Sequence, residues 1–177
     1  MKTLYLLRHA KSNWGDARIA DHDRPLAPRG EDAATRIGRY LNDRGVRPEL
    51  ILCSTARRAA DTLDLVLAQI GRNGGDHAAI PVERERGLYL CGARVMLERI
   101  RDVPDGVHTL MLVAHNPDLH SLATSLVVEG EAQARAHLTE KFPTAACAAI
   151  VFDVAHWRDV APGTGRLADF VRPRALS

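Results

Sequence analysis

Three stretches of the chain end in residues that can handle an anion. Leu4-Tyr5-Leu6-Leu7 runs into Arg8-His9, and Glu49 to Cys53 opens into Ser54, followed shortly by Arg58. Thr109 to Ala114 ends at His115-Asn116-Pro117. Each apolar run is short and lacks turn residues, which predicts a buried strand with its polar group at the C-terminal mouth. An imidazole beside a guanidinium suits a nucleophile held next to an anion. Two arginines and two histidines, with no obvious carboxylate among them, suit a phosphoryl group, whose loose transition state spreads charge over three oxygens. Arginine's fork of donors matches that geometry. This chemistry needs no metal, and no Asp, Glu or His set has ligand spacing. His115 and His120 are badly spaced for a shared ligand on one helix. No cofactor is expected.

Each of these residues has an ordinary reading when taken alone. Arg8-His9 is then surface polarity, Arg58 a solvated side chain and His115 a core or turn histidine. Arg58 is unusual because a cation in a helix's first turn opposes the helix dipole. Adjacent Arg57 can take the solvated role instead. The joint reading prevails because right-handed crossovers bring the ends of parallel strands to one sheet edge, where open α/β sheets bind ligands.

The elements that must position these groups follow from periodicity. Strand one covers residues 3–7, and a polar loop over 12–29, containing Asp21-His22-Asp23-Arg24-Pro25-Leu26, makes a lid or rim beside the site. A helix starts near Arg29, with Ala33, Ile37, Tyr40 and Leu41 on one face, and stops by Gly45 and Pro48. Ser54-Thr55 is expected to cap a second helix bearing Ala59, Thr62, Leu63, Val66, Leu67 and Ile70. A loop over 71–75, a minor strand over 80–82 and a helix around Val95–Ile100 come next. A further helix carries Leu119, Leu122, Ala123, Leu126 and Val127, with Pro117 in its first turn. Residues 145–152 and 167–171 read as the last strands, one of them antiparallel or at the sheet edge. The sum is a single domain over 1–177, a three-layer α/β/α sandwich around a mostly parallel sheet.

Bulk properties agree. The chain has 177 residues, 46% hydrophobic and 26% charged, with a net charge of +2. That size supports one sizeable core. The weak net charge, without any block of like charges, predicts neither nucleic-acid nor membrane binding. An RNA-binding reading also lacks an aromatic-basic stripe. Cys53, Cys91 and Cys147 are odd in number and far apart, as expected of free thiols in a reducing compartment. The N-terminus enters the first strand directly and no apolar run suits a membrane span, so a soluble cytoplasmic protein is expected.

The motifs also resemble those of a known family. Leu7-Arg8-His9-Ala10-Lys11-Ser12 is similar to the Arg-His-Gly motif of the histidine phosphatase superfamily, which includes the cofactor-dependent phosphoglycerate mutases. Ser54-x-x-x-Arg58-Ala59-x-x-Thr62 resembles its second phosphate-binding motif, and Val113-Ala114-His115 its second histidine. Asp23-Arg24-Pro25-Leu26 with Gly30, Leu88-Tyr89, and Lys141-Phe142-Pro143-Thr144 resemble the small SixA-type phosphohistidine phosphatases. The likeness runs through Trp157 and Phe170-Val171-Arg172-Pro173. It implies a phosphoglycerate mutase-like fold and in-line attack by His9, giving a phosphohistidine that water then hydrolyses. Arg8, Arg58 and His115 would hold the equatorial oxygens. Ser12, Asn13 and Asn116 are further candidates for substrate contact.

Two departures bear on substrate. Gly15 stands where mutases carry an asparagine, and Glu83 and Glu85 are poor matches to their proton-donating acid, reading better as salt-bridged surface carboxylates. Without an acid an alkoxide leaves poorly, whereas a largely protonated imidazole leaves readily. A partner protein carrying phosphohistidine is therefore the expected substrate. A phosphomonoesterase for a small metabolite and a non-catalytic phosphate-binding module are the alternatives.

Overall fold

The computed structural model describes residues 1–72 and 80–176. In chain order the elements are β1 (Lys2–Arg8), α1 (Pro28–Asp43), β2 (Leu50–Ser54), α2 (Arg57–Leu67), β3 (Val82–Glu85), α3 (Ala93–Arg101), β4 (Thr109–Ala114), α4 (Asp118–Leu126), β5 (Val127–Gly130), α5 (Ala132–Glu140), β6 (Cys147–Phe152) and β7 (Gly165–Val171). The strands form one seven-stranded sheet in the order β3-β2-β4-β1-β6-β7-β5. Among the described strands only β6 runs against the others, pairing antiparallel with both β1 and β7. It is the reversed strand expected near the C-terminus.

Side chains alternate across each strand, and the two faces sort cleanly. Leu4, Leu6, Leu52 and Leu112 pack with Met96 of α3, Leu122 of α4 and Leu138 of α5. Leu7, Ile51, Met111 and Val113 pack with Ile37 of α1 and Leu63 of α2. Both faces are thus covered, giving the three layers, and the central strands are nearly continuous apolar runs for that reason. Among the described residues no helix is long and apolar enough to cross a membrane.

Several boundaries differ from expectation. The helix after β4 stops at Leu126, because the β-branched pair Val127-Val128 enters a strand beside β7. The α5 helix, which periodicity did not suggest, begins at a cap where the Glu131 carboxylate accepts from the Gln133 and Ala134 N–H groups. The minor strand expected over 80–82 lies at Val82–Glu85. The expected 71–75 loop falls mostly outside the described residues. Ser54 does not cap α2 either: the residue preceding that helix is Ala56, and Ser54 is wholly buried.

Candidate active site

Strand register brings the candidate residues together. Arg8 on β1 lies opposite Ala114 on β4, so His9 and His115, one step further along each strand, leave the sheet side by side. Cys53 on β2 lies opposite Val113 on β4, which sets Ser54 next to them. The His9 and His115 ring centroids are 5.2 Å apart. The α2 helix returns Thr62 to this edge, where its Oγ1 accepts the Ala10 N–H at 2.9 Å and its hydroxyl donates to the Arg58 carbonyl at 2.6 Å. One side chain therefore ties the residue after His9 to the helix turn bearing Arg58.

The protonation geometry of His9 suits a nucleophile. Its Nδ1 lies 2.7 Å from the Ala10 carbonyl, which can only accept, so Nδ1 carries the hydrogen and the Nε2 lone pair is free. Burial, reinforced by the guanidiniums of Arg8 and Arg58, pushes the ring down to about 4, despite the Ala10 bond that favours the charged form. His115 is pushed down to about 3 by burial and then by its neighbours His9 and Arg58. Both imidazoles are neutral at neutral pH. His115 Nε2 pairs with Ser54 Oγ at 2.8 Å, and Ser54 Oγ also accepts the Ala56 N–H.

The two arginines are held differently. Arg8 donates Nη1 to the Phe142 carbonyl at 3.1 Å, beside the amide of Asn116, which donates to the same oxygen at 2.9 Å. Arg58 is buried and donates to both the carbonyl and the carboxylate of Asp21, at 2.7 and 3.1 Å. Asp21 comes from the loop expected to form a lid or rim, and it supplies a carboxylate where none was expected among the pocket's arginines and histidines. The loop over 12–29 folds back through a single helical turn at Asp21–Asp23 and delivers it onto Arg58. The Tyr89 hydroxyl also donates to Asp21, and with Arg58 it holds that carboxyl below its usual range. Tyr89 packs edge-on against His115 at 5.5 Å. Ser54 ends one of the three expected strands, whereas Asp21 and Tyr89 are site-edge residues to which spacing alone assigned no role.

The resulting cavity encloses about 400 Å³ and is lined by Arg8, His9, Ser12, Asp21, Arg58 and Asn116, among others. Asn13 lies outside that lining, its side-chain oxygen accepting the Gly15 N–H at 2.8 Å. Glu83 and Glu85 are both held by Arg99, at 2.6 and 2.7 Å. Around the pocket, Arg8 Nε, His115 Nδ1 and Asn116 Oδ1 are buried without a hydrogen-bond partner. Of these, Arg8 Nε is a donor, and an oxyanion in the cavity would satisfy it.

A sheet edge built this way presents a neutral imidazole to an anion held by guanidiniums, which is what phosphoryl transfer to nitrogen requires. Similarity to known proteins leads to the same class. The family model of the histidine phosphatase superfamily (branch 1) matches residues 4–88. An uncharacterised protein of Mycobacterium tuberculosis is 40% identical over 170 residues, covering 95% of this chain and 100% of the relative. A crystal structure assigned as phosphohistidine phosphatase SixA from Agrobacterium tumefaciens is 30% identical. It superposes with a TM-score of 0.78, covering 97% of this chain and 98% of that one. A second structure, assigned likewise from Nakamurella multipartita, is 28% identical with a TM-score of 0.80, covering 97% and 96%. The chain belongs to the histidine phosphatase superfamily, and that membership together with its likeness to the SixA structures makes it a phosphatase.

Proposed function

We infer that the protein is a metal-independent phosphatase that removes phosphate from phosphohistidine on a partner protein through a covalent intermediate on His9. The observation that carries this reading is the free Nε2 of a neutral His9 set beside Arg8, Arg58 and His115. Nε2 attacks phosphorus in line as the bond from phosphorus to the leaving nitrogen breaks, and that bond's electron pair goes to the departing imidazole. Arg8, Arg58 and His115 hold the oxygens while charge moves. Water then attacks phosphorus, the bond to Nε2 breaks with its electron pair returning to His9, and both of the water's protons end on the released dihydrogen phosphate. Ser12 and Asn116 line the cavity as further substrate contacts.

The substrate class follows from the acids. Asp21 is ionised at neutral pH because Tyr89 and Arg58 hold its proton affinity down, so it is a poor proton donor to an alkoxide. Glu83 and Glu85 are engaged by Arg99. A substrate imidazole already protonated on its other ring nitrogen leaves as the neutral ring and needs no such donor. The likeness to structures assigned as SixA supports the same substrate. We place the reaction in the cytoplasm, where free thiols such as Cys53, Cys91 and Cys147 persist.

Rapid quenching into alkaline denaturant, where the phosphorus–nitrogen bond survives, after mixing with ³²P-labelled phosphohistidine protein is the direct test. Label is expected on the wild-type chain and none on His9→Ala. Turnover without trapped label would refute the covalent route. Faster clearance of alkyl phosphates than of phosphohistidine would overturn the substrate assignment.

A further inference from the structure

The phosphate cavity does not end at Thr144. It continues into a groove of about 320 Å³ between the start of α1 and the C-terminal turn at Pro173–Ala175, with Lys11 and Thr144 lining both. Four cations line this groove, Lys11, Arg29, Arg36 and Arg174, and no carboxylate does. In a chain with 24 basic and 22 acidic residues that is a local segregation of charge.

The four cations are not equivalent. Arg36 is committed, pairing with Asp32 at 3.0 Å and donating to the Pro173 and Leu176 carbonyls at 3.1 Å each, which pins the C-terminal turn against α1. Lys11, Arg29 and Arg174 are exposed, and among the described residues none has a carboxylate within ion-pairing distance. Like charges left unpaired along one wall repel each other, and an incoming anionic surface relieves that. The rim of the phosphate cavity carries apolar groups as well. Trp14 is 63% exposed and Leu90 53% exposed, the latter with a backbone φ of 52° that a side chain such as leucine rarely adopts.

We propose that this groove is the docking surface for the phosphorylated partner, and that it binds acidic residues flanking the phosphorylated histidine. The proposal rests on the phosphohistidine reading above. The phosphoryl group enters between Arg8 and Arg58, and the acidic flank lies along Lys11, Arg29 and Arg174. Electrostatic complementarity of this kind sets encounter rate and partner choice more than chemistry, so it shows in kcat/KM and in salt dependence.

Two synthetic peptides carrying one histidine phosphorylated with phosphoramidate test it, one with glutamates on both flanks and one with lysines. N-phosphoimidazole serves as the small control. The glutamate peptide is expected to have at least a tenfold higher kcat/KM at low salt, with the advantage collapsing at high salt. The double variant Arg29→Glu/Arg174→Glu should abolish the preference while phosphoimidazole hydrolysis stays within twofold. A glutamate in the first turn of α1 suits the helix dipole, so the reversal at 29 is compatible with folding. Arg29→Gln/Arg174→Gln, expected to have an intermediate effect, guards against misfolding. Fluorescence anisotropy of the unphosphorylated, labelled glutamate peptide judges the groove without any chemistry. Equal rates for the two peptides, or peptide affinity unchanged by the charge reversal, would overturn the docking surface. If phosphoimidazole and both peptides resist hydrolysis while the acidic peptide still binds and the reversal releases it, the substrate reading fails and the groove stands.

Discussion

A histidine that is to attack phosphorus must be neutral with its attacking nitrogen free. Here burial supplies the neutrality, and the Ala10 carbonyl sets which ring nitrogen keeps the hydrogen. Both site imidazoles titrate far below an ordinary histidine, His9 at about 4 and His115 at about 3. Between those values and the usual 6.5 or so, an unfolded chain binds protons that the folded site refuses. Stability from these groups is thus complete above the unfolded value and is lost progressively as pH falls through about 4 for His9 and about 3 for His115. NMR titration of the imidazole Cε1 signals should show His9 and His115 unchanged from pH 8 to pH 5. A midpoint near 6.5 for either would contradict the burial argument. Ser54 gives a second test at this scale. Ser54→Ala leaves buried His115 Nε2 without its partner, which should cost roughly 1–3 kcal/mol in urea unfolding. It should also lower kcat about tenfold or more by freeing the ring.

At the scale of elements, the site is where three parallel strands stop together, and this much was readable from residue order. The runs ending at Arg8-His9, Ser54 and His115 had the length and composition of buried strands, and register does the rest. What was not readable has physical causes. The α5 helix buries only Leu138, so it carries no apolar stripe to detect. Val127 fits both the face of α4 and the start of β5, and only pairing with β7 decides between them. Asp21 sits in a loop without periodicity, and its ion pair with Arg58 depends on how that loop returns. Ser54 looked like a cap because a serine before a helix usually is one. Close packing of α1 on the strand-one loop offers another test. A Cβ on Gly30 would lie 2.1 Å from the Lys11 carbonyl oxygen, so Gly30→Ala must shift the backbone just after His9. Overpacking of this kind costs about 1–3 kcal/mol, equivalent to a fall of roughly 2–12 °C in Tm for a chain of this size. Thermal melts should show that fall together with reduced turnover. Gly87→Ala, with open space around it, should change neither.

Across the described residues, folding leaves several buried polar atoms without a hydrogen bond, and some of them belong to the site. Arg8 Nε and His115 Nδ1 are enclosed with nothing to bond, and Arg8 lines the cavity that a phosphate would enter. Anything that binds the native chain alone adds RT ln(1 + [L]/Kd) to its stability, about 2.7 kcal/mol at a hundredfold excess over Kd. Inorganic phosphate or vanadate at that excess should raise Tm by roughly 5–11 °C, and Arg8→Ala should lose most of the rise. Differential scanning calorimetry with sulfate and chloride controls would measure it. The ion released at the end of each catalytic cycle is then also a keystone. Conditions that let it accumulate make the protein harder to melt and slower to work, so heat resistance and product inhibition should rise and fall as one quantity.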